Sequence, residues 1–296
     1  MNYVKEYANF LRQFINTPNK VRVLFDSSNG STGMVLKELY LNHSQVEAVF
    51  VNDNPDGEFP AHGANPLTKG AIDDVGQAVL KTQVDIGAVF DGDGDRVFFF
   101  DEKGSVLSSY ESFRCIKGGF NPPYVLDSRA LAEFTMPNEQ VVQTKVGYYF
   151  IRKAMEEHNA ELGAEYTGHF YFKNFFYADS GILAAVYMIN YLSSLKGGGK
   201  ALSEVGDTED FIRLPEVNFK VSSPEGAIDK LKAYFVQDKQ VRISELDGLT
   251  VYAQKFALNI RASATEPLLR FTLVAKDQKV LKTIAGKVEG LLGKDE

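Results

Sequence analysis

Residues 84–100 read VDIGAVFDGDGDRVFFF, two short apolar runs separated by Asp91, Asp93 and Asp95 at alternate positions. β-branched and aromatic residues with no polar alternation describe strands covered on both faces, so the chain needs a sheet sandwiched by other elements. The loop between the runs crowds three carboxylates, which raise one another's pKa unless positive charge lies among them.

The flanking sequence repeats the pattern that such a sheet requires. VRVLFD (21–26) predicts a strand, SSNGSTG a glycine-bearing turn, MVLKELYL a helix and VEAVFV (46–51) a second strand. A helix around 71–82 then leads into VDIGAVF, an alternation that implies parallel crossover units. A second series starts after GGFNPP, with YVLD and QVVQTK as strands and GYYFIRKAMEEH and GILAAVYMINYLSSL as helices, while GAEYTGHFYF lies between those helices. The last 90 or so residues change character: FIRLPEVNFKV, GLTVYAQKF, LNIRAS and LLRFTLVA are strand-like. There Ile228, Leu231 and Phe235 mark one helix, and Val280, Ile284, Val288 and Leu291 another. The fold expected is α/β, two α/β domains with mixed sheets plus a C-terminal α+β domain. The expected divisions are 1–19 (a linker helix), 20–108, 109–205 and 206–296. The opening helix carries Tyr3, Tyr7, Phe10, Leu11 and Phe14 at helical spacing, an aromatic face that needs cover.

Composition narrows the function. A net charge of −7 argues against non-specific nucleic-acid binding, which needs a basic stripe. No run approaches the ~20 apolar residues of a membrane span, and the N-terminus has no signal-peptide core. The single cysteine, Cys115, excludes an internal disulfide and fits a reducing, cytoplasmic setting.

Three readings of DGDGDR compete. As an EF-hand, Asp91, Asp93, Asp95 and Glu102 fill positions 1, 3, 5 and 12, yet position 6 is Arg96 instead of glycine and the flanks are strands instead of helices. As a catalytic centre, the loop sits at the carboxyl end of a strand, where open α/β sheets bind ligands, and an all-oxygen set suits Mg²⁺ or Ca²⁺. A solvated acidic turn is the third, and three alternating carboxylates beside an arginine are costly for a mere turn.

DGDGDR followed by DEKG resembles the metal-binding loop of the α-D-phosphohexomutases, the phosphoglucomutase and phosphomannomutase superfamily. Three further segments agree in order: NPDGEFPAHGANPL with the family's PDG-x-FP-x-H segment, GAEYTGHFYF with its GE-x-SGH sugar loop, and IRASATEPLLRF with its phosphate loop. The resemblance covers residues 20–275. It implies two phosphohexomutase-type α/β domains, with Mg²⁺ on Asp91, Asp93 and Asp95. Arg96 would stabilise the transferring phosphoryl group and His169 would act as a proton shuttle. Glu165 and Thr167 would hold the sugar's 3- and 4-hydroxyls, so that glucose and mannose are both accepted. Arg261, Ser263 and Thr265 would hold the substrate phosphate, with Arg270 either helping or lying on a solvated strand face. The implied substrates are glucose or mannose 1- or 6-phosphate, exchanged through a phosphoserine and a 1,6-bisphosphate.

These residues contain no TASHNP-like serine loop, which the family carries in an N-terminal domain. The expectation is a chain inactive by itself, with weak or water-completed metal binding. The rival expectation is a non-catalytic sugar-phosphate-binding protein. The aromatic face of the opening helix (Tyr3, Tyr7, Phe10) is then expected to meet a separate N-terminal domain or a second copy of the chain. Two departures from the family pattern fall in the middle region: Tyr148 stands where many members have histidine, and Asp127 lies near where some have a catalytic lysine.

Overall fold

A computed structural model describes residues 2–68, 70–205, 211–263 and 266–293. Thr265 of the expected phosphate loop lies outside the described residues. By contacts the chain forms two compact units, residues 1–121 with 159–208 and residues 122–158 with 209–296.

The first unit begins with α1 (Tyr3–Arg12), capped by the Asn2 side chain, which accepts from the Lys5 amide. There follow β1 (Val21–Asp26), α2 (Thr32–Leu39), β2 (Val46–Val51), α3 (Ala71–Thr82), β3 (Ile86–Phe90), β4 (Val97–Phe100) and α4 (Ser109–Ile116). The sheet order is β2-β1-β3-β4. β1 runs parallel to β2 and β3, whereas β4 returns antiparallel to β3, so the sheet is mixed. Every residue of β3 and β4 is buried. Leu24, Val79, Val89, Phe98 and Phe100 share one core, which explains the unbroken apolar runs. The β3–β4 register ends at Phe90↔Val97 and leaves 91–96 as the connecting loop. Strands on both sides complete the case against an EF-hand.

In chain order β5 (Tyr124–Asp127), α5 (Ala132–Thr135), β6 (Val141–Thr144) and α6 (Tyr148–His158) come next and belong to the second unit, with β5 parallel to β6. The chain then returns to the first unit as an antiparallel meander, β7 (Leu162–Ala164), β8 (Phe170–Phe172) and β9 (Ala178–Asp179), followed by α7 (Gly181–Gly197). The second unit closes with β10 (Ile212–Lys220), α8 (Pro224–Phe235), β11 (Arg242–Ser244), β12 (Leu249–Tyr252), β13 (Phe256–Ala262), β14 (Leu268–Ala275) and α9 (Gln278–Leu292). These last strands form an antiparallel sheet of order β10-β14-β13-β12-β11. Strand alternation sorts its faces: Leu258 and Ile260 join Leu231 and Phe235 of α8 and Leu281 and Val288 of α9, while Ala257 packs with Leu131 and Val274. Both helices thus share one core on one face, as the sequence predicts.

The structure adds features that the sequence reading lacks. α4 was not anticipated, although its signal is present: Ser108 and Glu111 form a reciprocal capping box. The aromatic face of α1 is covered largely by its own unit. Tyr7 stacks on Phe175 at 6.0 Å and its hydroxyl meets Ser180 Oγ at 3.1 Å. Phe10 packs on Phe14 and Phe175, so Tyr7 and Phe10 are partly covered by their own unit and Tyr3 is the well-exposed one of the three. No described helix is long and apolar enough to cross a membrane.

Candidate active site

Two loops of the first unit meet at the carboxyl end of β3. Residues Arg96 and His169 form an antiparallel bridge, and the Val97 amide donates to the Gly168 carbonyl at 3.1 Å. The carboxylate loop and the EYTGH loop, more than 70 residues apart in sequence, are therefore stitched backbone to backbone. Gly168 is required at the seam, because its φ is +90° and a Cβ there would lie 2.9 Å from the Phe98 ring. Gly94 has φ +79°, and its carbonyl accepts from the Gly181 amide at 3.1 Å, which ties the start of α7 to the same loop.

Within the carboxylate loop the three aspartates differ. Asp91 is buried; its Oδ1 accepts from the amides of Gly94 (3.0 Å) and Arg96 (3.1 Å), and its Oδ2 accepts from Arg96 Nε (2.5 Å). Burial pushes its carboxyl up to about 6 against the pull of Arg96. Asp93 is exposed. Asp95 is held below the usual carboxylate range by the His169 imidazole, whose Nε2 lies 3.5 Å from Asp95 Oδ1. One oxygen from each of the three lies within 4.8 Å of the others, and Asp95 Oδ1 is buried with no hydrogen-bond partner. A hard cation fits that donor set: all oxygen, from three carboxylates, with one oxygen that makes no hydrogen bond.

The second loop adds the remaining polar groups. Glu165 is 3% exposed and accepts from the Tyr171 hydroxyl at 2.7 Å; Thr167 Oγ1 and His169 Nδ1 are 3.1 Å apart, and His169 Nδ1 lies 3.4 Å from Glu165 Oε2. Burial alone would lower the His169 pKa, but the Asp95, Glu165 and Asp179 carboxylates outweigh it and raise it. Asp179, at the end of β9, is pushed up to about 6 by burial, opposed by His169. It forms a second acidic grouping with Asp95 and His169. The first unit thus brings Asp91, Asp93, Asp95, Arg96, Glu165, Thr167 and His169 into one cluster. Sequence reasoning did not single out Tyr171, although it lies within GAEYTGHFYF, or Asp179, since one tyrosine or aspartate in a short strand carries no pattern of its own.

The second unit holds the other expected group separately. Arg261 sits near the end of β13, directly opposite Arg270 on β14. The Nε atoms of both are buried without a hydrogen-bond partner. Burial, then the like charges of Arg129 and Arg270, lower the Arg261 pKa, with Asp247 and Glu216 opposing. Arg270 is half-buried and its Nη1 lies 3.4 Å from Glu216 Oε1, so it is not on a solvated face. The Ser263 amide donates to the Leu268 carbonyl at 2.9 Å and closes the hairpin. Two like charges paired across a sheet are destabilising unless an anion or acid lies between them. Arg129, 1% exposed, is a further cation that the sequence did not single out; its Nη2 meets Asp127 Oδ2 at 2.8 Å. Asp127 is thus the partner of a buried ion pair.

Comparison with known proteins adds an independent line. Residues 1–104 match the pattern described as phosphoglucomutase/phosphomannomutase, alpha/beta/alpha domain II; residues 127–209 match domain III, and residues 216–291 the C-terminal domain. A phosphomannomutase of Methanocaldococcus jannaschii is 35% identical over 306 residues, which cover 99% of this chain and 66% of that protein. The crystal structure of a phosphoglucomutase/phosphomannomutase family protein from Burkholderia thailandensis shares the fold, with a TM-score of 0.84 at 22% identity over 98% of this chain and 64% of that one. An N-acetylphosphoglucosamine mutase of Aspergillus fumigatus, solved with GlcNAc-6P and magnesium, aligns with a TM-score of 0.63 at 16% identity, over 98% of this chain and 64% of that one. The chain spans slightly less than two thirds of the length of these relatives.

Proposed function

The chain belongs to the phosphoglucomutase/phosphomannomutase family, and from that premise we propose that it carries the metal, sugar and phosphate subsites of a phosphohexomutase. The reaction is interconversion of hexose 1-phosphate and 6-phosphate, glucose or mannose, through a phosphoserine and a bisphosphate intermediate, in the cytoplasm. The observation that supports this reading best is the Arg96–His169 bridge, which joins the carboxylate loop to the sugar loop. An acidic cation site without a sugar-recognition loop beside it would support far less.

In this reading Asp91, Asp93 and Asp95 hold Mg²⁺, the ion named with the Aspergillus fumigatus enzyme. When bound, it supplies Lewis-acid neutralisation of a transferring phosphoryl group. Arg96, held beside the loop by Asp91, adds positive charge on the same side. His169 lies between Asp95 and Glu165, where a raised pKa lets it hold a proton near neutrality and pass it to or from a sugar hydroxyl. Glu165 and Thr167 accept and donate hydrogen bonds to neighbouring hydroxyls. Arg261, with Ser263 and Thr265, grips the phosphate that is not being transferred. Phosphoryl transfer by this route needs a phosphoserine, for which none of these residues is proposed.

The test is conversion of glucose 1-phosphate to glucose 6-phosphate by the chain alone and after mixing with a family serine domain. Conversion only in the mixture is the expected result. Calorimetric binding of glucose 1-phosphate with no turnover in any assembled mixture would favour the sugar-phosphate-binding reading instead.

A further inference from the structure

The segment NPDGEFPAHGANPL has no role in the chemistry above, yet its His62 forms a buried pair with a residue outside it. His62 and Asp26 have side chains only 5% and 3% exposed, and His62 Nε2 lies 3.2 Å from Asp26 Oδ2. Asp26 is the last residue of β1. Its Oδ1 accepts from the Ser28 amide at 2.9 Å, and its Oδ2 also accepts from Asn52 Nδ2 at 2.8 Å. One carboxylate therefore gathers the ends of two strands and a residue ten positions into the following segment.

The same segment touches the carboxylate loop a few residues further on. The Gly92 amide, between Asp91 and Asp93, donates to the Ala64 carbonyl at 2.9 Å, and the Gly92 carbonyl accepts from the Ser31 amide at 3.2 Å. Arg96 Nη1 is 3.5 Å from Asn65 Oδ1. On the near side the Asp56 amide donates to the Asn29 carbonyl (2.9 Å) and the Ala61 amide to Asn29 Oδ1 (3.2 Å). Residues 56–65 thus form a strap fixed at both ends, with His62 between its anchors. The strap and its anchor both carry left-handed backbone: Phe59 has φ +46° and Ser28, next to the anchoring Asn29, has φ +48°, a region that persists in such residues only where the surroundings over-determine it.

We propose that His62, through its bond to Asp26, is a positioning residue that clamps the strap 56–65 over the carboxylate loop and keeps Asp91–Arg96 in the shape that gathers its oxygens. The value of that shape for cation binding rests on the function proposed above; the clamp itself does not. The groups facing His62 are Asp26 from β1, Asp74 from α3 and the Gly63 backbone, and the Asp26 bond is the largest of the influences that favour the protonated ring. The imidazole pKa is raised, so the clamp is complete below the ordinary histidine value of about 6.5 and relaxes as pH rises through the raised value.

The experiment is hydrogen exchange, read by mass spectrometry on the intact chain without metal, at peptides covering 91–98. In His62→Leu these amides should exchange at least tenfold faster at pH 6, with the excess shrinking at higher pH after correction for intrinsic rates. Amides of β13 and β14 should be unchanged. His62→Gln, which keeps a donor but cannot take a charge, should restore part of the protection and abolish its pH dependence. Unchanged exchange at 91–98, or acceleration spread evenly over both units, would overturn the proposal. If His62→Leu does not fold, the pH dependence of exchange in the unsubstituted chain decides: a flat corrected profile at 91–98 refutes the clamp. Titration with Mn²⁺ alone, followed by electron paramagnetic resonance, separates the two readings. Weaker binding in His62→Leu supports both, whereas the exchange effect in a chain that binds no Mn²⁺ supports the clamp and sinks the cation site.

Discussion

Tyr171→Phe removes a single hydroxyl from the sugar loop and leaves the ring in place. Tyr171 is 1% exposed and donates to Glu165 Oε2 over 2.7 Å, and Glu165 is 3% exposed. Burial first, and the Glu165 carboxylate next, raise the Tyr171 pKa, so the hydroxyl is a donor throughout the working pH range. A hydrogen bond to a charged group in such surroundings is worth about 1.5–3 kcal/mol, and removing only the donor leaves the desolvated acceptor worse off. His169 Nδ1, at 3.4 Å, is too far from Glu165 to replace it fully. The substitution should therefore cost the first unit about 2 kcal/mol. Loosening of the carboxylate that grips the sugar should weaken glucose 1-phosphate binding about tenfold, or about 1.4 kcal/mol. The assay is calorimetric titration combined with hydrogen exchange at the β7–β8 hairpin, whose Glu165 amide donates to the His169 carbonyl. A double-mutant cycle with Glu165→Gln isolates the pair, and coupling above about 1 kcal/mol is expected. Coupling of less than about 0.5 kcal/mol in both readouts would refute the idea that Tyr171 holds Glu165.

Two other perturbations test the remaining loops. Arg129→Met leaves Asp127, 0% exposed, without its guanidinium but with the Arg129 amide still donating at 2.7 Å. The cost should fall near the lower end of the about 3–5 kcal/mol typical of a broken buried pair, and Asp127→Leu added to it should recover most of that. Exchange of β13 and β14 amides measures both, and a single-variant cost below about 1 kcal/mol contradicts the assignment. Gly94→Ala forces a Cβ to within 2.3 Å of Thr32 Cγ2 at φ +79°. The left-handed backbone alone costs about 1–2 kcal/mol, and Mn²⁺ affinity should drop about tenfold or more; unchanged affinity would show that the carboxylate loop does not need its present turn.

The two units were legible to different depths. The strands flanking the carboxylate loop were predictable because their burial is uniform: β3 and β4 have no solvent face, so an apolar run without alternation is their whole signature. The C-terminal sheet was legible for the opposite reason, since its helices leave a periodic trace in Leu231, Phe235, Leu281 and Val288. What escaped was cover supplied by distant residues. Phe175, in a turn after β8, shields Tyr7 and Phe10, and nothing in the spacing of α1 distinguishes a face covered by its own chain from one awaiting a partner.

The site shows the same limit in electrostatic form. DGDGDR and EYTGH were readable because each packs several functional groups into a few residues, so that composition alone departs from chance. In the folded unit, however, Asp91, Asp93, Asp95, Glu165 and Asp179 gather around Arg96 and His169, and those carboxylates come from three separate segments. Asp179 raises the burden without belonging to any motif, while Asp26 and His62, 36 positions apart, pair with each other outside the acidic cluster. A local pattern reveals groups that chemistry needs side by side. The charges that set their proton affinity, and the pair that holds their backbone still, are chosen by the fold, so a sequence displays the reactive groups more readily than the residues that keep them in register.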